Sequence, residues 1–200
     1  MYKILSADNL AANIYRMVVK APMVAKHCQP GQFIIAKVDE VGERIPLTIC
    51  DYDRENGTIT IVFQPIVNST RRMAELTAGD SFEDFVGPLG RPSDLIDTPI
   101  EELKKRSIVF IAGGVGTAPV YPQVKWLHEH GVTADVIIGA KNKDLVILED
   151  EFKSVCNLYI TTDDGSYQRK GMVTVCLQDL IEKEGKHYDW CVAIGPMIMM

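Results

Sequence analysis

No stretch of about 18 consecutive apolar residues occurs in this 200-residue sequence, so no segment reads as a membrane-spanning helix. Positive charge is also scarce. Lys and Arg number 21 against 27 Asp and Glu, a net charge of −6. No basic stripe is present to neutralise phosphates, which argues against nucleic acid as the main partner. The sequence has no C-x-x-C pair. Its five cysteines, Cys28, Cys50, Cys156, Cys176 and Cys191, are odd in number and widely spaced. That pattern offers neither a zinc site nor a sequence-local iron–sulfur site. It fits small buried hydrophobes in a reducing compartment. The opening residues, MYKILSADNL, lack the basic, apolar and small-residue succession of a signal peptide, which predicts a cytoplasmic protein. The four histidines (His27, His128, His130, His187) show no ligand or catalytic spacing, and there is no internal repeat or low-complexity tract.

What is present is an ordinary globular composition, 46% apolar and 24% charged, whose rhythm changes near residue 100. Short β-like runs come first: Ile14–Lys20, Gln32–Val38, Leu47–Asp51 and Thr58–Gln64, the last following the turn Glu55-Asn56-Gly57. A short helix is expected over Thr70–Leu76. Many short strands with one small helix predict an antiparallel β-barrel. Strands and helices then alternate, predicting a Rossmann-like α/β parallel sheet. Strands are expected at Ser107–Ala112, Val132–Ile138, Leu158–Thr161 and Trp190–Ile194, and helices at Ala118–His130, Asp144–Phe152 and Val173–Lys183. Ser93–Lys105, with Pro99 and mixed charge, reads as the linker. The expected domains are 1–98 and 99–200.

The strongest local motif is IVFIAGGVGTAP, residues 108–119. A buried strand runs into Gly113, Gly114, Val115, Gly116 and Thr117, and then into a helix. Glycines let the backbone approach a pyrophosphate, and the helix start offers free N–H groups and a favourable dipole. Pro119 stands where the third glycine of G-x-G-x-x-G would be, so the loop differs from the usual dehydrogenase fingerprint. A ligand-free strand–helix turn is the alternative reading.

The sequence GGVGTAP resembles the nicotinamide-binding loop of the ferredoxin–NADP reductase superfamily, in which a flavin-binding antiparallel barrel of the six-stranded type precedes the α/β half, as the resemblance implies here. Residues 43–51, ERIPLTICD, resemble the Arg-Arg-Pro-Ile-Ser run of dihydroorotate dehydrogenase electron-transfer subunits, with Ile45 in place of the second arginine. The resemblance implies that Arg44, Pro46, Leu47 and Thr48 bind FAD, with Thr48 near flavin N5 as the catalytic contact. It extends to Val62, Phe63 and Gln64 as a flavin-contacting strand. Ser69 and Thr70 match a Gly-Thr pair that opens a helix against the pyrophosphate; read by themselves they are good helix caps. It likewise implies that Asp163, Asp164 and Gly165, together with Gly195 and Pro196, lie on the nicotinamide-nucleotide side. Lys141 and Lys143 would suit a 2′-phosphate or simply face solvent, so NAD and NADP both stay open, with a lean to NAD from the nearest relatives.

The match covers essentially the whole chain. It is similar to the small flavin subunits of bacterial and archaeal complexes, including the alpha subunit of NADH-dependent ferredoxin–NADP oxidoreductase (sulfide dehydrogenase). The implied activity is hydride transfer between NAD(P)H and FAD, then electron transfer to an iron–sulfur centre, a ferredoxin or a larger partner subunit. The implied alternatives are a dihydroorotate-type partner subunit and a non-catalytic flavin- or nucleotide-binding regulatory module. Relatives carry a C-terminal four-cysteine [2Fe–2S] segment whose ligands this sequence lacks. The expectation is a C-terminally truncated chain whose α/β sheet is incomplete after Met197-Ile198-Met199-Met200.

Overall fold

A computed structural model of the chain describes residues 1–197 and 199. The chain divides into two compact units, residues 1–97 and 98–200. The expectation about the final residues falls partly on Ile198 and Met200, which lie outside the described residues.

The first unit is an antiparallel sheet. In chain order it holds β1 (Tyr2–Ala11), β2 (Ile14–Lys20), α1 (Pro22–His27), β3 (Phe33–Lys37), β4 (Ile45–Asp53), β5 (Thr58–Phe63), α2 (Asn68–Ala74), β6 (Ser81–Phe82) and β7 (Asp84–Leu89). Across the sheet the order is β6-β1-β2-β5-β4-β3-β7. The two edge strands, β6 and β7, are separated in sequence by Glu83 alone, so the sheet must curl until its edges approach. That is the expected barrel, with a two-residue strand added at one edge. Its interior follows the strand period of two. Met17 and Val19, Ile34 and Ala36, Ile59, Ile61 and Phe63 point inward with Ile4, Phe82 and Phe85. Sequence reasoning missed β1, because only Ile4 of its ten residues is buried and no apolar alternation marks it. Asn13, at φ +60, makes the tight turn into β2, a conformation asparagine tolerates.

α3 (Asp94–Asp97) closes the first unit, and α4 (Ile100–Leu103) opens the α/β half. The expected linker thus carries two single-turn helices, anchored by Leu95 and Leu103, both buried. The α/β half continues with β8 (Ile108–Gly113), α5 (Thr117–Glu129), β9 (Asp135–Ala140), α6 (Glu149–Lys153), β10 (Asn157–Thr162), β11 (Arg169–Lys170), α7 (Val173–Glu182) and β12 (Trp190–Ile194). All five strands are parallel, in the order β11-β10-β9-β8-β12. β8 lies between β9 and β12 and is buried along its whole length. Val109 and Ile111 pack with Ile137 against Val173, Cys176 and Leu180 of α7.

Two expected elements differ from those found. Strand β9 begins at Asp135 rather than Val132, because Gly131 (φ +77) and Val132 close α5 instead. Gly131 N–H donates to His128 O at 3.0 Å and Val132 N–H to Leu127 O at 2.9 Å, the paired bonds of a Schellman cap. The helix expected over Asp144–Phe152 is a 3-10 turn at Lys143–Leu145 followed by α6, with Leu148 left-handed at φ +58 between them. Leu145–Leu148 is a continuous apolar run without helical spacing. Ile147 and Leu148 are buried by leaving the helix.

At the amino ends of the strands, Asp135 is buried and accepts three hydrogen bonds. They come from Lys186 Nζ and Tyr188 Oη, each at 2.6 Å, and from Asn157 Nδ2 at 2.8 Å. Lys186 also donates to Tyr159 Oη at 2.7 Å. Burial would raise the Asp135 pKa, but these bonds outweigh it and hold the carboxyl below its ordinary value. The network ties the loop before β12 to β9 and β10.

Candidate functional site

In the first unit, register settles which residues share a face. Ile49 on β4 pairs with Ile61 on β5, and both point into the core. Their neighbours Thr48 and Val62 therefore share the outer face. By the same alternation Pro46 lies on the Thr48 side, next to Phe33 and Ile35 of β3, whose partners are Thr48 and Pro46; Arg44 immediately precedes the strand. Leu47 and Phe63 belong to the inner face: Phe63 is in the core and stacks on Tyr15 at 5.8 Å, and Leu47 packs against that core. On the outer side of the barrel these two offer backbone groups only.

Ser69 and Thr70 open α2, and both are buried. Thr70 Oγ1 accepts the N–H of Val67 at 3.0 Å, capping the helix start. Ser69 Oγ donates to Glu43 at 2.5 Å, which brings the helix start to the residue before Arg44. Asp39 of the same β3–β4 loop pairs with Arg72. The structure thus joins two segments that are 25 residues apart in sequence, Arg44 and Ser69, through a glutamate that sequence reasoning did not single out. Arg44 itself reaches across β3 to Asp84, Nη2 to Oδ2 at 2.7 Å. Gln64 follows β5 and is half-buried.

In the second unit the chain passes from β8 to β9 and β10 on one side, then returns to place β12 on the other side of β8. Such a reversal leaves a crevice at the carboxyl ends of the two strands, where open α/β sheets bind ligands. Gly113, Gly114, Val115 and Gly116 lie at that end of β8, and Gly195 and Pro196 at that end of β12. They are in close contact: a Cβ on Gly116 would meet Ile194 O at 2.5 Å, and one on Gly195 would meet Gly113 N at 3.2 Å. Gly114 has φ +55 and open space above it. Thr117, the first residue of the 13-residue helix α5, is fully buried, and its Oγ1 has no hydrogen-bond partner. A buried orphan hydroxyl at the start of a helix, on the favourable end of its dipole, fits an anionic ligand's oxygen. The thioether of Met199 rests against Gly113 and Gly195.

Asp163, Asp164 and Gly165 lie two strands away, after β10. Asp163 N–H donates to Ala140 O at 3.1 Å, so this loop adjoins the end of β9 rather than the glycine crevice. Asp164 accepts the N–H of Ser166 at 2.9 Å, and bonds from Ser166 hold its pKa down. Among the described residues no group of three or more His, Cys, Asp or Glu side chains is placed to hold a metal ion, and no helix is long and apolar enough to cross a membrane.

No family model matches the chain. Over its full length it is 58% identical to an uncharacterized protein in the adh 3′ region of Clostridium beijerinckii, of which it covers 68%. It is 35% identical over 198 residues to the dihydroorotate dehydrogenase B (NAD(+)) electron transfer subunit homolog of Thermotoga maritima, covering 99% of this chain and 67% of that one. Among solved structures, a chain of the NADH-dependent reduced ferredoxin–NADP oxidoreductase superposes with a TM-score of 0.88 at 33% identity, over 100% of this chain and 69% of the other. The chain thus spans about two thirds of the length of the proteins it matches.

Proposed function

Since the chain belongs to the ferredoxin–NADP reductase-like family, among flavin electron-transfer subunits related to that of dihydroorotate dehydrogenase B, we propose that it moves a hydride between NAD(P)H and FAD. The observation that carries this reading is the crevice where Gly113–Gly116 meets Gly195, with the orphan hydroxyl of Thr117 beside it. Bound FAD would supply two-electron acceptance together with one-electron release.

The chain's own part is positioning. Gly113, Gly114 and Gly116 admit a dinucleotide pyrophosphate to the start of α5, and Val115 and Thr117 line that approach. Gly195 and Pro196 set the place of the nicotinamide. On the barrel, Thr48 donates or accepts a hydrogen bond at flavin N5, beside Pro46 and Val62. Arg44 supplies positive charge to the FAD pyrophosphate, and Ser69 and Thr70 direct the N–H groups of the first turn of α2 toward it. Leu47, Phe63 and Gln64 complete the strand ends that bound the flavin. The electrons leave for an iron–sulfur centre, a ferredoxin or a larger catalytic subunit, the last being what the relationship to the dihydroorotate dehydrogenase B subunit favours. On this reading residues 1–98 are the FAD domain and 99–200 the NAD(P) domain.

The test is optical. Purified protein supplied with FAD should turn yellow, and NADH or NADPH should bleach it without oxygen. Folded protein that takes up no FAD overturns the flavin assignment. Bound flavin that neither nucleotide reduces leaves a regulatory module instead.

A further inference from the structure

Strand register places one more residue on the outer face that holds Pro46, Thr48 and Val62. Ile34 and Ala36 of β3 are fully buried in the barrel core, so Phe33 and Ile35 point outward. Phe33 pairs with Thr48 of β4 on one side and with Leu89 of β7 on the other. The N–H of Ile49 donates to Gln32 O at 3.1 Å and carries the β3–β4 pairing one residue further. Directly opposed residues on antiparallel strands have Cβ atoms about 4.5–5.5 Å apart, so Phe33 and Thr48 are side-chain neighbours.

The outward positions of an antiparallel sheet are ordinarily polar. Here one carries an aromatic ring, half-buried, and the chain fixes that ring in place. Gly90, at φ +78, lies directly against it: a Cβ at Gly90 would stand 2.8 Å from Cε1 and 3.0 Å from Cδ1 of Phe33. The Gly90 carbonyl is held in turn by Gln32 Nε2 at 3.0 Å, across 58 residues of chain, and Gln32 Oε1 accepts the N–H of Gln29 at 2.9 Å. The turn before β3 and the end of β7 thus clamp the ring from one side. Thr48 is bordered by apolar side chains: Phe33 across β3, Val62 across β5 and Pro46 two residues back along its own strand. One hydroxyl framed by apolar groups is the make-up of a small-molecule site, in which apolar lining supplies contact and a few polar groups fix orientation. A flavin ring calls for both, since its benzenoid end is apolar and its N5 edge forms hydrogen bonds.

We propose that Phe33, clamped by Gly90 and set beside Thr48 by the register of β3 and β4, is a positioning residue of the flavin site: its ring packs against the isoalloxazine, holds the N5 edge at the Thr48 hydroxyl and keeps water from that edge. The inference rests on the flavin reading of the barrel.

The probe is FAD, titrated into the purified chain, with two readouts that need no turnover. One is the dissociation constant. The other is the visible circular dichroism of the bound flavin, which arises only when the ring is held in one asymmetric setting. Phe33→Ala should weaken FAD binding about tenfold, the order for losing one aromatic packing contact, and should at least halve the visible signal at saturation. Phe33→Tyr keeps the ring and should restore both to within about threefold of the unmodified chain. A folded Phe33→Ala variant that keeps either the affinity or the full visible signal overturns the proposal, as does a tyrosine variant that behaves like alanine. Should Phe33→Ala not fold, Phe33→Leu, which keeps apolar bulk without the ring, is read against the same outcomes. Folded, unmodified protein that takes up no FAD overturns the flavin reading itself, a result distinct from FAD binding that is indifferent to position 33.

Discussion

The backbone of Gly116 lies so near Ile194 that a Cβ at position 116 would stand 2.5 Å from the Ile194 carbonyl oxygen. The clash is with backbone at the carboxyl end of β12, which its pairing with β8 holds in place. Gly116→Ala should therefore cost about 1–3 kcal/mol of stability in denaturant unfolding, the range for overpacked sites. It should also weaken NADH binding at least tenfold. Gly114→Ala is the contrast: it has open space but φ +55, so its cost should be near 1 kcal/mol.

Arg44 and Asp84 are paired at 2.7 Å but substantially exposed, at 62% and 35%. Exposed pairs of this kind contribute about 0–1 kcal/mol. Arg44→Ala should leave the unfolding midpoint nearly unchanged and weaken FAD binding about tenfold, read by flavin fluorescence quenching. An equal FAD affinity in the variant would remove Arg44 from the pyrophosphate site.

Thr48 shares the outer face of the barrel with Pro46 and Val62. Thr48→Val keeps its shape and removes its hydroxyl. FAD uptake should persist, while the rate of flavin reduction by NADH in stopped flow should fall about 100-fold, the lower end for losing one positioned hydrogen bond near a reacting atom.

Asp135 should make the α/β half sensitive to acid. Its pKa is lower in the folded chain than the ordinary carboxylate value of about 3.9. Its contribution is therefore fully present above that value and is lost as pH falls through the lower folded pKa. Asp135→Asn should destabilise the chain by about 2 kcal/mol at pH 7, the order expected for weakening a buried charged hydrogen-bond network. The difference between the two proteins should shrink below about pH 4.

Where the pattern is local, it could be read from the sequence. The apolar run before Gly113 and the glycines after it predict a buried strand and its turn, because a central parallel strand is apolar on both faces. The Asn-Gly turn before Thr58 and the ending of α5 at Gly131 were legible for the same reason. β1 was not legible, because a strand with one buried residue in ten carries little periodic signal. Nor was the break at Leu148, since the left-handed turn there depends on burying Ile147 and Leu148 together.

The sequence by itself determined the order of the two halves, the glycine turn and the strand bearing Pro46 and Thr48, since each is written in adjacent residues. Only the tertiary structure decided which of these share a face or a crevice. Strand register set Thr48 and Val62 side by side and turned Leu47 and Phe63 inward. Parallel pairing brought Asp163 beside Lys141, and the reversal of strand order pressed Gly116 against Ile194, 78 residues away along the chain. These proximities arise from hydrogen-bonded pairing between distant strands, which no local pattern of residues encodes.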